Sequence, residues 1–385
     1  MLVFLYSIII VAFLDTFIQL PIISPFAKEL GASSFLSGMI IAIYSFSNMI
    51  GNAISGHWID RYGRKKILLI GMIAVTFILF LYPFVTSGNQ LLLVRFIHGL
   101  AGGALIPAAF AYLGDLAPSK NRGKAMAFSG GCIGTAAIVG PALGGIISSR
   151  LSVSAVFIFV GVIFLITVIV VSLWLKESFH KDPRQHKKVE LADFIVLIKN
   201  SFMIQAMIGA FALMCSMGIL TYALPLKVQS LSLSSTVTGI LLSTFGIVAL
   251  IIFLTPINRS FDIFKPQSFI RTGLLLISFA LISLSFLDSI IFISITMVIY
   301  GIGFAFVFPS MNRIVVDISS NHDRGKAFGL FYGAFSLGVV FGSIFAGTMA
   351  EAFGKPFLVS GIFMLFIVAV FSIHVKHCAM NPEMN

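Results

Sequence analysis

Apolar stretches long enough to cross a bilayer recur about twelve times along this chain, with short polar connections between them. No other feature limits the fold so strongly. In hydrocarbon every backbone N–H and C=O needs an internal partner, so each stretch must be a helix. The approximate centres are Asp15, Ser45, Thr76, Ala104, Ala136, Phe164, Leu213, Phe245, Leu276, Phe304, Gly338 and Leu365. The first stretch runs from about Leu2 to Phe26 and lacks a basic leader, so it reads as a span rather than a cleavable signal. Composition agrees: the 385 residues are 58% hydrophobic and 10% charged, outside the range of soluble domains. The 40 Phe and 34 Gly suit lipid-facing bulk and close helix crossings.

The formal net charge of +11 raises the question of nucleic acid. The cations, however, lie in short loops between apolar runs, where membrane topology explains them better. Of 25 Lys and Arg, 20 fall on the side of the loop around Gly56, four on the other, and Arg95 within a span. That asymmetry predicts a cell-membrane protein with both termini and the central loop in the cytoplasm. Cys132, Cys215 and Cys378 are far apart and lack metal-ligand spacing. There is no P-loop, no His–Cys cluster and no hydrolytic constellation, so the chain is expected to be no enzyme and to need no cofactor or metal.

The longest polar stretch, residues 176–200, divides the chain into six-span halves, 1–175 and 201–385. The halves repeat. At an offset of 202, Gly99, Pro107 and Asp115 fall on Gly301, Pro309 and Asp317, and Asp60 falls on Asp262. Arg122-Gly123-Lys124-Ala125 falls on Arg324-Gly325-Lys326-Ala327, and Gly131, Gly140 and Gly145 fall on Gly333, Gly342 and Gly347. Near the start of each half the offset slips by one, so that Ser33, Ser34 and Gly38 fall on Ser234, Ser235 and Gly239. Two parallel six-helix repeats are thus expected.

Between the second and third spans stands Gly56-His-Trp-Ile-Asp60-Arg61-Tyr-Gly63-Arg64-Lys65-Lys66. This Gly-x-x-x-Asp-Arg-x-Gly-Arg-Lys-Lys pattern resembles the loop between the second and third helices of the major facilitator superfamily. The resemblance covers nearly the whole chain. It implies an all-α membrane protein with 12 transmembrane helices in two pseudo-symmetric six-helix bundles. It further implies that Gly56 lets a helix approach closely, that Asp60 faces the N-terminus of the eleventh helix, and that Arg64 pairs with Asp115. Gly56, Asp60, Arg61, Gly63, Arg64 and Asp115 are the expected conformational gate. A carboxylate near a helix N-terminus is favoured by the helix dipole. The second-half copy is degraded, with Ile263 and Pro266 in place of Arg61 and Arg64, so its contact is expected to be weaker.

Asp15 is the one acidic residue near the middle of a span. A mid-bilayer charge costs roughly 2.5–3.5 kcal/mol on insertion scales, so it is paired, protonated or hydrated. Either proton coupling or a structural hydrogen bond between helices accounts for it. Arg95 is its matching cation, and its repeat partner is Met297, so scaffold symmetry does not explain it. Leu91-x-x-x-Arg95-x-x-His98-Gly99 resembles the fourth-helix motif of drug/proton antiporters, with His98 where Gln is usual. The resemblance gives Arg95 a role in proton transfer; the structural alternative is snorkelling to the interface. His98 shares a helical face with Arg95 and serves either as a proton relay or as a buried hydrogen-bonding group.

Gly140-Pro141-Ala-Leu-Gly144-Gly145, in the fifth span, is a packing seam in physical terms. It resembles the antiporter motif of facilitator exporters, which implies export rather than import. Gln19, Asn48 and Asn52 are candidate cavity residues, with Gln19 one turn from Asp15. Tyr44, Phe128, Phe211, Tyr222, Phe245 and Tyr332 are candidates for an aromatic pocket, though aromatics are abundant enough to be core or lipid-facing. The resulting expectation is a monomeric drug/proton antiporter. Its partners would be a small lipophilic or cationic substrate, protons and the bilayer, with no nucleic acid. A metabolite uniporter or symporter and a lipid flippase of the same fold are the alternatives.

Overall fold

The computed structural model describes residues 2–116, 122–178, 191–319 and 323–380, without the side chains of 60, 122–124, 127, 191–194 and 379. Among these residues the chain forms sixteen α-helices and no strand. The first half contains α1 (Leu2–Ile18), α2 (Ile23–Glu29), α3 (Ser34–Tyr62), α4 (Arg64–Leu79), α5 (Gly88–Gly102), α6 (Leu105–Leu116), α7 (Arg122–Arg150) and α8 (Val153–Trp174). After α9 (Leu191–Lys199) come α10 (Ser201–Ser230), α11 (Ser235–Leu254), α12 (Ser260–Ile263), α13 (Pro266–Leu284), α14 (Ile290–Ile318), α15 (Arg324–Phe353) and α16 (Pro356–Met380). Eleven described segments are long and apolar enough to cross a membrane, and α1 with α2 makes a twelfth if that bent pair is one span.

Local chemistry explains the boundaries. Ser33, Ser87 and Ser152 cap α3, α5 and α8 by accepting from Leu36 N, Gln90 N and Ala155 N. The expected unbroken first span is bent instead, by 46° between Ile18 and Ile23. Pro21 has no N–H to donate and disfavours helix at the residue before it. The carbonyl of Gln19 then accepts from both Ile22 N and Ile23 N, which closes the bend.

The helices obey the repeat. Subtracting 202 from α14 gives 88–116, the range of α5 plus α6, and from α15 gives about 122–151, the range of α7. The halves differ where one has a breaker. α14 is continuous where α5 and α6 part at Gly103, and Pro256 interrupts the counterpart of α3. Small hydroxyls repeat too: Thr76 donates to Met72 O and Ser278 to Leu274 O, both at 2.7 Å. Each thus satisfies its polar group inside its own helix, as a membrane interior requires.

The chain forms two compact units, Met1–Asp182 with Leu224–Ser243, and Pro183–Ala223 with Thr244–Asn385, so the boundaries pass through α10 and α11. In the first unit α1 packs along α7, α3 along α5 and α4 along α8; in the second α13 packs against α14 and α16. Phe77, Phe84, Leu254 and Phe286 stand exposed, which is unfavourable in water and neutral against lipid tails.

Candidate functional site

Four parts of the first unit meet at Asp15: α1, α3, α5 and the 3-10 turn Tyr82–Phe84 that follows α4. Asp15 is 1% exposed, His98 0% and Arg95 5%. Gln19 lies one turn beyond Asp15, at the bend. Its Nε2 donates to Asp15 Oδ1 and to the Asp15 carbonyl, both at 2.8 Å, and its Oε1 accepts from an Arg95 guanidinium nitrogen. The amide has only this orientation, because a carboxylate accepts and a guanidinium donates. Arg95 Nε also donates to Ile40 O at 3.3 Å, and its guanidinium carbon lies 4.2 Å from the Tyr44 ring centroid, a cation–π contact.

His98 completes the cluster. Its Nε2 is 3.1 Å from Asp15 Oδ2, close enough for electrostatic attraction, although the N–H is not aligned for a hydrogen bond. Its Nδ1 is 2.9 Å from the Tyr82 hydroxyl. Tyr82 in turn stacks on Phe157 of α8, with centroids 3.8 Å apart and planes at 8°. Thr16 and the Tyr44 hydroxyl, 3.4 Å apart, close the side toward α3.

The structure therefore brings Asp15, Gln19, Arg95 and His98 together, with one change in wiring. Arg95, expected as the direct partner, reaches Asp15 through Gln19, and His98 makes the direct contact. Tyr82 was not foreseen. It lies in a turn outside every motif, and only the packing of α4 and α8 brings it to α5. Asn48 donates to Gly99 O at 3.3 Å, whereas Asn52 is exposed. Of the candidate aromatics, Phe128 and Tyr332 are exposed, Phe211 contacts Phe341, and Tyr222 and Phe245 are buried.

The repeat supplies an internal control. Asp15 corresponds to Ser216, Tyr44 to Phe245, Arg95 to Met297 and His98 to Tyr300. Ser216 Oγ and Tyr300 Oη lie 2.9 Å apart, so the geometry recurs in the second unit with neutral groups. The ionisable version belongs to one half alone.

At the basic end of the first unit, Gly63 joins α3 to α4 with φ +102°, a backbone that L side chains rarely adopt, and a Cβ there would stand 2.6 Å from Glu177 Oε2. Arg64 Nε lies 2.9 Å from Asp115 Oδ2, and Ser178 Oγ donates to the same oxygen at 3.0 Å. Glu177 accepts from Arg64 N at 3.0 Å and from Lys65 N at 3.1 Å, placing an anion on the first turn of α4. Its separation of over a hundred residues from the loop hid it from motif reading. Arg61 is exposed and lies over the Tyr62 ring, and the Asp60 side chain lies outside the described residues. The close approach expected at Gly56 is found elsewhere. A Cβ at Gly56 would meet nothing within 4 Å, whereas one at Gly51 would lie 2.2 Å from Leu100 O. The α3–α5 crossing is centred on Gly51, Gly99 and Gly103, and Gly56 lies beyond it. In the second unit Asp317 pairs instead with Arg313 of its own helix, at 3.5 Å and largely exposed, an arrangement worth little. Glu177→Ala should lower thermal stability in detergent by only about 0.5–1 kcal/mol, because the site is solvated. Glu177→Lys should lower it further by setting a cation on the same helix N-terminus; equal effects of the two would remove the dipole explanation.

The Gly140–Gly145 segment presses α7 onto α1. A Cβ at Gly140 would stand 2.8 Å from Phe17 Cβ, and one at Gly144 would stand 2.0 Å from Ile18 O. On its other side, a Cβ at Gly145 would stand 2.3 Å from Ser235 O, and one at Gly239 would stand 2.2 Å from Pro141 O. Ser243 donates to Ile138 O at 2.6 Å, and Ser235 to Gly145 O at 3.1 Å. α7 runs through Pro141 unbroken. The contacts of Gly140 and Gly144 fall on Phe17 and Ile18, between Asp15 and Gln19.

A sequence profile described as Major Facilitator Superfamily matches residues 5–312 and 206–377. Multidrug resistance protein 1 of Bacillus subtilis is 25% identical over 347 residues, covering 89% of this chain and 87% of that protein. Quinolone resistance protein NorA of Staphylococcus aureus is 24% identical over 391 residues, covering 99% and 98%. Among solved structures, a bacterial homolog of the human lysosomal transporter Spinster superposes with a TM-score of 0.82 at 16% identity, covering 97% of this chain and 96% of that one. A POT family transporter in complex with 5-aminolevulinic acid gives 0.78 at 12% identity, covering 100% and 96%. At such identities the structures speak for the fold alone.

Proposed function

The chain belongs to the major facilitator superfamily of membrane transporters, and from that premise we propose that it exports small lipophilic or cationic compounds in exchange for protons. One observation carries the reading: a buried Asp15–His98–Arg95–Gln19 cluster in one half, with a neutral Ser216–Tyr300 pair at the equivalent place in the other. A structural hydrogen bond needs no charge there, as Ser216 and Tyr300 demonstrate. An ionisable set held against its insertion penalty suits a group that changes protonation during work. Asp15 holds a proton or the cationic group of a substrate, and not both. Arg95 and His98 tune that choice. The similarity to proteins named for multidrug and quinolone resistance supports the substrate class.

Transport proceeds by alternating access, with 1–175 and 201–385 as the moving halves and 176–200 as their connection. Asp60, Arg61, Gly63, Arg64 and Asp115 gate the cytoplasmic side, and Gly140, Pro141, Gly144 and Gly145 form the exporter seam. It works in the cell membrane as a monomer with both termini in the cytoplasm, a topology that the asymmetry of Lys and Arg supports. A membrane potential adds about 2.3 kcal/mol per charge per 100 mV to any electrogenic exchange.

The test is reconstitution into proteoliposomes with an imposed pH gradient. A panel of lipophilic cations and a proton-sensitive dye are followed together. Gradient-dependent movement of a panel member with opposite proton flux is the expected result; movement indifferent to the gradient favours a uniporter or flippase. Tyr300→Phe, which removes only the neutral hydrogen bond of the second half, should leave coupling within about twofold of wild type. Loss of coupling in that variant would show the two halves to share the proton role.

A further inference from the structure

Tyr82 belongs to no motif, yet its hydroxyl is the partner of His98 Nδ1. Only one proton can lie between two atoms 2.9 Å apart. If the proton is that of the tyrosine, Nδ1 is bare and the single proton of a neutral ring is on Nε2, facing Asp15. If it is on Nδ1 of a neutral ring, the bare Nε2 faces Asp15 Oδ2 at 3.1 Å, and two acceptors repel unless that oxygen carries a proton. With Asp15 ionised and His98 neutral, only the first arrangement is self-consistent. Adding one proton at Nδ1 makes an imidazolium with both nitrogens as donors, so the Tyr82 oxygen must then accept.

We propose that Tyr82 is a positioning residue of the proton site, which donates to Nδ1 to hold unloaded His98 as its Nε2–H tautomer against Asp15 and turns to accept when Nδ1 takes up a proton on its way to Asp15. This rests on the proton-exchange reading above. The phenol is well placed for the task. It is fully buried and stacked on Phe157, which holds the ring in place while the O–H turns between donating and accepting. The ionisable groups around His98 are Asp15 from α1, Tyr44 from α3, Tyr82 itself and Arg95 on α5. Arg95 only donates, and Tyr44 presents its ring to His98 edge-on, with centroids 5.2 Å apart. Tyr82 is thus the group with both donor and acceptor character on the Nδ1 side. In the second half the matching residues are Leu284 and Tyr300, so no such pair is repeated.

The test uses the full chain in liposomes with 15N-labelled histidine and solid-state NMR. His98→Gln identifies the relevant signals among the seven histidines. With its ring neutral, wild-type His98 should be protonated at Nε2 and bare at Nδ1, and a proton-loaded ring should carry protons on both nitrogens. Tyr82→Phe keeps the aromatic stack and removes the hydroxyl, so both tautomers should then be populated. Exchange turnover should fall about three- to tenfold, the worth of one hydrogen bond, with substrate KM within twofold. A wild-type Nδ1–H tautomer with gradient-driven exchange intact overturns the positioning role alone, as does an unchanged tautomer ratio in Tyr82→Phe. Absence of gradient-driven exchange in wild type, with the Nε2–H tautomer and its dependence on Tyr82 present, sinks the antiport reading and leaves the positioning role standing. The wild-type spectrum decides the tautomer even if Tyr82→Phe does not fold.

Discussion

Asp15→Asn protein in proteoliposomes is expected to lose gradient-driven substrate movement to background, while gradient-independent movement of the same compound persists. The substitution keeps the shape of the side chain and one acceptor for Gln19 Nε2. It removes the only acid of the cluster and so the site at which a proton and a cationic substrate compete. Arg95 is left as an uncompensated buried cation, a penalty of roughly 2.5–3.5 kcal/mol on insertion scales, so yield in the membrane should fall as well. Asp15→Asn combined with Arg95→Gln removes both charges and should recover yield without recovering coupling. Proton flux that survives in well-folded Asp15→Asn would make Asp15 a structural hydrogen-bonding group and move the proton site elsewhere.

Gly144→Val is expected to be among the most disruptive single changes outside the charged cluster. Its first added carbon would lie 2.0 Å from the carbonyl oxygen of Ile18, which is backbone and cannot rotate aside. α1 and α7 must separate, and helix association in lipid depends on the van der Waals contact that separation destroys. A loss on the order of 3 kcal/mol follows from over-packing a tight contact. It should be read as reduced yield and an earlier thermal transition in detergent. Gly134→Val provides the control on the same helix, since a Cβ there meets nothing within 4 Å, and it should be close to neutral. Equal damage from both would mean that glycine matters in α7 for helix flexibility and not for close approach.

The contrast between Gly144 and Gly134 marks where sequence reading stops. Both are glycines of one apolar helix, ten residues apart; the Gly140–Gly145 seam marks Gly144 as a packing position, but nothing in the sequence says that Ile18 of α1 is what it meets. The same limit applies at Gly56 and Gly51: the motif points to the first, and the crossing uses the second. Arg95 was legible as a buried cation and Asp15 as a buried acid, but the Gln19 bridge between them was not, because it depends on the bend at Pro21. Glu177 and Tyr82 were invisible for a related reason. Each acts on a residue of another helix, across 113 residues in the case of Glu177 and Arg64.

By itself the sequence determined the helices, their approximate number, the two-fold repeat and the charge asymmetry. Lipid forces every polar backbone group to pair within its own segment, so secondary structure in a membrane follows from local composition, and a repeat in sequence becomes a repeat in helices. Apart from the Arg64–Asp115 pair, which the loop motif implied, only the tertiary structure decided which polar side chains touch. Lipid tails are as apolar as leucine and give no hydrophobic signal for which face of a helix turns inward. That choice is made by close contacts such as Gly144 on Ile18 and by the few hydrogen-bonding groups that must find one another, of which Asp15, Gln19, Arg95, His98 and Tyr82 form the central set.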